Sequence, residues 1–135
     1  MELGISSEFS GLEFDRIEHE TREVLKEHGF GILTEIDVSA TMKEKLNVAY
    51  RPYKILGACN PPYANKALTA EPEIGLLLPC NVIIYEKSDG KVRVSITSPT
   101  KLFTLIDRDD VEPLAIEIED LLQSALNKIT SNLTT

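Results

Sequence analysis

The chain holds two cysteines, each followed by an asparagine: Cys59-Asn60 and Cys80-Asn81. A thiolate is a nucleophile and a ligand for soft metals. The neighbouring carboxamide supplies hydrogen-bond donors and an acceptor that can fix a small polar ligand in a cleft. Both pairs fall within residues 53–81, YKILGACNPPYANKALTAEPEIGLLLPCN. Asn60 is a good helix cap and Pro61 suits the first helical position, so Cys59 sits just before a helix start. Free N–H groups and the positive end of the helix dipole favour a thiolate at such a place. The competing outcome is inert sulfur, because free cysteine is among the most buried residue types. Cys59 shares a strand face with Tyr53 and Ile55, and Cys80 shares one with Val82 and Ile84. The candidate ligand-binding set is therefore Cys59, Asn60, Cys80 and Asn81. The dull alternative makes Asn60 only a cap and Asn81 a partner for backbone near Pro79.

Whether the two pairs meet depends on strand direction. Cys59 ends one apolar strand and Cys80 begins another. Antiparallel neighbours would bring both sulfurs to one end of a sheet, parallel neighbours would separate them, and strands that are not neighbours are the third case. A single intervening helix favours the parallel case in general.

Other motifs are sparse. The sequence has no C-x-x-C, H-E-x-x-H, G-x-S-x-G, G-x-G-x-x-G or Walker loop, and Gly29 and Gly31 precede a strand rather than a helix. His19 and His28 are nine residues apart on one helix, on nearly opposite sides, so they read as surface residues. Asp37, near Lys43, Lys45 and Arg51, is a general-base candidate but more simply a turn residue. No nucleophile has a base beside it. The residues leave catalysis undecided and name no cofactor and no metal.

The elements that position the pairs follow from local pattern. Ser10 with Glu13 forms a capping-box signature. Phe14, Ile17, Thr21, Val24 and Leu25 continue it as a helical stripe, with Glu18 and Arg22 paired on the wet side, up to Gly29. Phe30, Ile32, Thr34 and Ile36 alternate as a strand with one buried face. Residues 39–47 suit a short helix. After the strand ending at Cys59, Ala64, Ala67 and Leu68 give the next helix a small, closely packing face. Pro79 opens a central strand that runs through Val82 and Ile84 to Tyr85. Ser88-Asp89-Gly90 is a tight turn, and Val92, Val94 and Ile96 form a strand with one wet face. Pro99 opens a short turn. A last helix covers about 111–129, and Thr130–Thr135 reads as a frayed tail.

This order predicts an α+β fold: a single compact domain over 1–135 with its core in about 10–130. Its mixed β-sheet has four to five strands, with helices packed mainly on one face. A partly apolar outer sheet face needs a cover, and a second copy of the chain is the simplest one, which makes a homodimer the expected assembly. The 135 residues suffice for an ordinary hydrophobic core. A net charge of −8 and a pI near 4.8 weigh against nucleic acid and against anionic membrane surfaces. No stretch approaches a membrane span and the N-terminus lacks signal-peptide character, so a cytoplasmic location with reduced thiols is expected.

Several blocks carry a resemblance. Gly29-Phe30-Gly31-Ile32-Leu33-Thr34-Glu35-Ile36-Asp37, Lys43-Glu44-Lys45-Leu46, Tyr53 through Pro61, and Leu78-Pro79-Cys80-Asn81-Val82 occur in this order. In this the chain resembles the domain of unknown function 302 family over nearly its whole length. The resemblance implies a compact, dimeric α+β domain and implies no activity. Three readings follow: a small-ligand-binding or non-catalytic domain with its site at the two Cys-Asn pairs, a thiol-based redox or soft-metal protein using Cys59, and a structural dimerisation module with buried thiols.

Overall fold

Two runs of period-two alternation, seven residues before the Asp89 turn and six after it, build the centre of the sheet, and the helical stripes then cover one of its faces. The structure, a computed structural model, describes residues 2–134. In chain order it has β1 (Gly4–Phe9), α1 (Phe14–Glu27), β2 (Gly31–Asp37), α2 (Val38–Leu46), β3 (Tyr53–Cys59), α3 (Pro61–Ala70), a 3-10 turn (Pro72–Leu77), β4 (Cys80–Glu86), β5 (Val92–Thr97), α4 (Pro99–Leu102), a second 3-10 turn (Phe103–Leu105) and α5 (Glu112–Leu133). The strands form one sheet in the order β1-β5-β4-β3-β2. The α+β domain is the expected one. Its strand pairings are all antiparallel rather than mixed.

Leu56 and Ala58 of β3, Cys80, Val82 and Ile84 of β4, and Val92, Val94 and Ile96 of β5 are buried. They pack with Ile17, Val24 and Leu25 of α1 and with Ile118, Leu122, Ala125 and Ile129 of α5. Full burial of the Val, Leu and Ile side chains among them contributes about 1.5–3 kcal/mol each. The helix α5 runs four residues past the expected end. Thr130 is held by Ser7 at 2.7 Å, and Leu133 is only 6% exposed, so the expected tail is helical as far as Leu133, which joins the core. Thr135 lies outside the described residues.

Three further expectations are corrected. Helix α1 begins at Phe14 with Glu13 as N-cap and no side-chain cap, so the Ser10 capping box does not form. Gly11 at φ +73 turns the chain between Ser10 and the helix. Glu18 is 8% exposed rather than wet, because Arg22 at 2.9 Å and Lys54 at 2.9 Å both neutralise it. Strand β2 has no well-buried face: its register shifts between Ile32 and Thr34, and Ile36 is 50% exposed. A bulge reverses the facing of residues beyond it. Ile32 therefore lies opposite Ala58 on the helix side, while Ile36 lies opposite Ile55 on the other face.

Among the described residues that other face carries no helix. At its centre, the Tyr53 and Tyr85 rings stack at 5.1 Å, and Tyr50 meets Tyr53 edge-on at 6.4 Å. Ile55 and Ile83 pair beside them, both half-buried. Towards β1 the face turns polar: Arg93 holds Glu8 at 2.8 Å and Ser6 at 2.7 Å.

Behind β5 the chain needs an anchor for α4. The buried Ser98 and the Thr100 hydroxyl both donate to one carboxylate oxygen of Glu119, and the Thr100 N–H donates to it at 3.1 Å. Burial alone would raise the Glu119 pKa, but these hydrogen bonds outweigh it and hold the carboxyl below its ordinary 4.5. A depressed folded pKa gives stability that is present above the unfolded value and lost as pH falls through the folded one. Glu119→Gln is thus expected to cost about 1 kcal/mol at neutral pH, after allowance for its partial exposure. The gap between the urea midpoints of Glu119→Gln and wild type should close as pH drops below 4.5. A gap independent of pH would show that the charge contributes nothing.

Candidate functional site

The connection from β3 to β4 decides the geometry. Strand β3 ends at Cys59, α3 leaves the sheet, and the 3-10 turn at Pro72–Leu77 brings the chain back to the same end. The expected parallel crossover is therefore replaced by an antiparallel pair with Ala58 opposite Cys80. Helix α3 does not traverse the sheet, so the handed crossover rule has no hold on it. Both cysteines end up beside one cavity of about 280 Å³ between the sheet end and α3.

The cavity is lined by Ala58, Cys59, Asn60 and Cys80 from the strand ends, by Tyr63, Ala64, Ala67 and Leu68 from α3, by Leu78 and Pro79 from the return, and by Phe30, Leu33 and Ile118. Its walls are apolar apart from the two thiols, the Asn60 amide and the Tyr63 hydroxyl. Leu33, 67% exposed, and Leu68, 40% exposed, stand at its rim. The small side chains of α3 were expected to pack closely. Ala67 does so, but Ala64 leaves space that nothing fills.

Three of the four candidate residues thus share this space, and Asn81 does not. Asn81 is exposed, lies opposite Gly57 on the uncovered sheet face, and is absent from the cavity wall. The alternation of β4 makes this unavoidable, since Cys80 faces the helices and its neighbour must face away. Asn60 has a structural duty: its side-chain oxygen accepts the Tyr63 N–H at 3.5 Å, and its amide nitrogen lies against Gly29. A Cβ on Gly29 would come within 3.0 Å of that nitrogen.

The thiols differ. Cys80 is buried, and burial, with the nearby Cys59 charge adding to it, pushes its thiol up to about 11. At neutral pH it is a protonated, weakly polar wall group, neither nucleophile nor ready metal ligand. Cys59 is half-buried at the cavity edge. Among the described residues no three His, Cys, Asp or Glu side chains cluster as a metal site. His28 turns Nδ1 to the Val24 carbonyl at 2.8 Å. Asp37 caps α2 by accepting the Ala40 N–H at 2.9 Å, which fixes it as a structural group.

Sequence reasoning missed the lining residues from outside the 53–81 stretch. Phe30 reads as a strand residue and Ile118 as one position in a helical stripe. Nothing local tells that both end beside Cys80.

Among the described residues no helix is long and apolar enough to cross a membrane. A protein of Aquifex aeolicus (strain VF5) named only as uncharacterized is 32% identical over 84 residues, which is 62% of this chain. The chain spans about half the length of that relative, 52%. The solved structure of an uncharacterized conserved DUF302 protein from Bacillus stearothermophilus superposes with a TM-score of 0.86 at 26% identity, covering 94% of this chain and 98% of that one. The family described as "Domain of unknown function DUF302" matches residues 5–129, and the chain belongs to that family.

Proposed function

We propose that the cavity between the β3 and β4 ends and α3 binds a small, largely apolar molecule, with Cys59 at its edge and Cys80 in its wall. The observation that carries this reading is an apolar space of about 280 Å³ whose rim leucines stay exposed. Ligand sites are concave and mostly apolar with few polar groups. An apolar cavity of roughly 150 Å³ already admits benzene, so this one has room for roughly ten heavy atoms. At about 0.3–0.5 kcal/mol per atom, such a ligand binds in the millimolar range or tighter. The protonated Cys80 thiol counts against a dithiol redox couple or a two-thiol metal site.

Titration calorimetry with 1-octanol tests it. Wild type should bind, and Ala64→Phe, which fills the cavity from an already half-exposed position, should not. Bound octanol should also slow iodoacetamide labelling of Cys59, read in Cys80→Ser. If Ala64→Phe binds octanol as wild type does, the cavity is not the site.

A second reading concerns the uncovered sheet face. Its stacked Tyr53 and Tyr85, with Ile55 and Ile83, form an apolar centre beside the charged Glu8–Arg93 margin. That distribution of an apolar core and polar rim suits a self-complementary contact with a second copy of the chain.

A further inference from the structure

The cavity wall holds no Lys, Arg or His, so it offers no cation to the polar end of an occupant. Inside, the Asn60 side-chain oxygen already accepts from Tyr63, and the Cys80 thiol stays protonated. Next to the cavity on α3, though not in its wall, stands Lys66. Its ammonium sits 5.4 Å from the centre of the Tyr63 ring, and that ring lines the cavity. Lys66 is exposed and makes no ion pair among the described residues, although the chain carries 22 acidic side chains. A cation over an aromatic face is held in place without being neutralised.

We infer that the occupant is a short aliphatic chain ending in an anion, its tail in the cavity and its head on Lys66 beside it. This rests on the cavity reading above and names the ligand class for it. An anion approaching a protein of net charge −8 is repelled at long range. A local cation is then what selects it, and within a Debye length of about 8 Å that attraction is felt. A chain of about eight carbons matches a space for roughly ten heavy atoms.

Calorimetry with octanoate and 1-octanol separates the two readings, because both carry eight carbons and differ mainly in the charge of the head. Wild type should bind both. Lys66→Ala should weaken octanoate about fivefold, the size of an exposed ion pair, and leave octanol unchanged. Lys66→Arg should restore octanoate, and added salt should weaken octanoate alone. Octanoate binding that is equal in wild type and Lys66→Ala overturns the head-group assignment and leaves the cavity reading standing. Failure of wild type to bind either compound overturns both.

Discussion

Gly57→Val is expected to lower stability by about 3 kcal/mol or more, at the upper end of overpacking effects. A Cβ at Gly57 would lie 2.1 Å from Thr34 Oγ1 and 2.7 Å from Pro79 Cγ. Neither neighbour can step aside easily. Thr34 is β-branched and stiff at χ1, and it sits just past the β2 bulge. The Pro79 ring is part of the backbone where the chain re-enters the sheet. The glycine therefore lets the β2 threonine and the returning loop approach the middle of β3 from one side. The strand has no left-handed backbone there, so the requirement is one of space. Gly31→Ala is the control: its Cβ meets nothing within 4 Å. That change should be neutral or stabilising by about 0.4–1 kcal/mol through the unfolded state. Urea unfolding reads both, as a shift in midpoint at constant slope. A Gly57→Val midpoint matching that of Gly31→Ala would sink the argument. Because Pro79 also lines the cavity, a Gly57 variant that still folds should bind octanol more weakly as well.

What local sequence can show is the propensity and face of each element, and there it did well. The cap at Asn60, the stripe of α5 and the alternation of β4 and β5 all follow from residue type and period. It failed where a long-range path decides. The turn at Pro72–Leu77 contains Leu76, which reads as part of an apolar run yet is 82% exposed. That turn reverses the chain and makes β3 and β4 antiparallel, which is what joins Cys59 to Cys80. A bulge adds one residue without any compositional mark, so Ile36 carried the pattern of a core position onto the open face. The cavity was half legible. Its cysteines and Asn60 stood out as residue types, whereas its emptiness arises from Ala64 lying beside Leu78 and Phe30, which only the folded chain brings together. Asn81 lies outside the cavity because strand alternation turns it to the face opposite Cys80, which adjacency in sequence does not show.

The other large effect concerns association. If a second copy covers the open sheet face, wild type should sediment at twice the 15.0 kDa chain mass, and Ile83→Glu should sediment as the single chain. Ile83 lies on β4, the central strand, opposite Ile55 and next to the Tyr53–Tyr85 stack. In a two-fold contact each substitution counts twice. At about 2 kcal/mol per copy, a typical value for a central interface residue, the dissociation constant rises about a thousandfold. A carboxylate on that face stays hydrated in the single chain, so the fold should survive. Tyr85→Ala, which removes the stack without adding charge, should weaken association less. Each chain brings a charge of −8 to the contact, so the dimer should tighten as salt is added up to physiological strength. That sign is opposite to the one expected for octanoate at Lys66, which lies on α3 away from this face. A salt series on one sample can therefore tell apolar contact between like-charged chains from ion pairing beside the cavity. Wild type that stays at 15.0 kDa across the series at 0.1 mM or so would end the dimer reading. The apolar centre of the face would then be an ordinary exposed patch, since single hydrophobic groups on a surface need no partner.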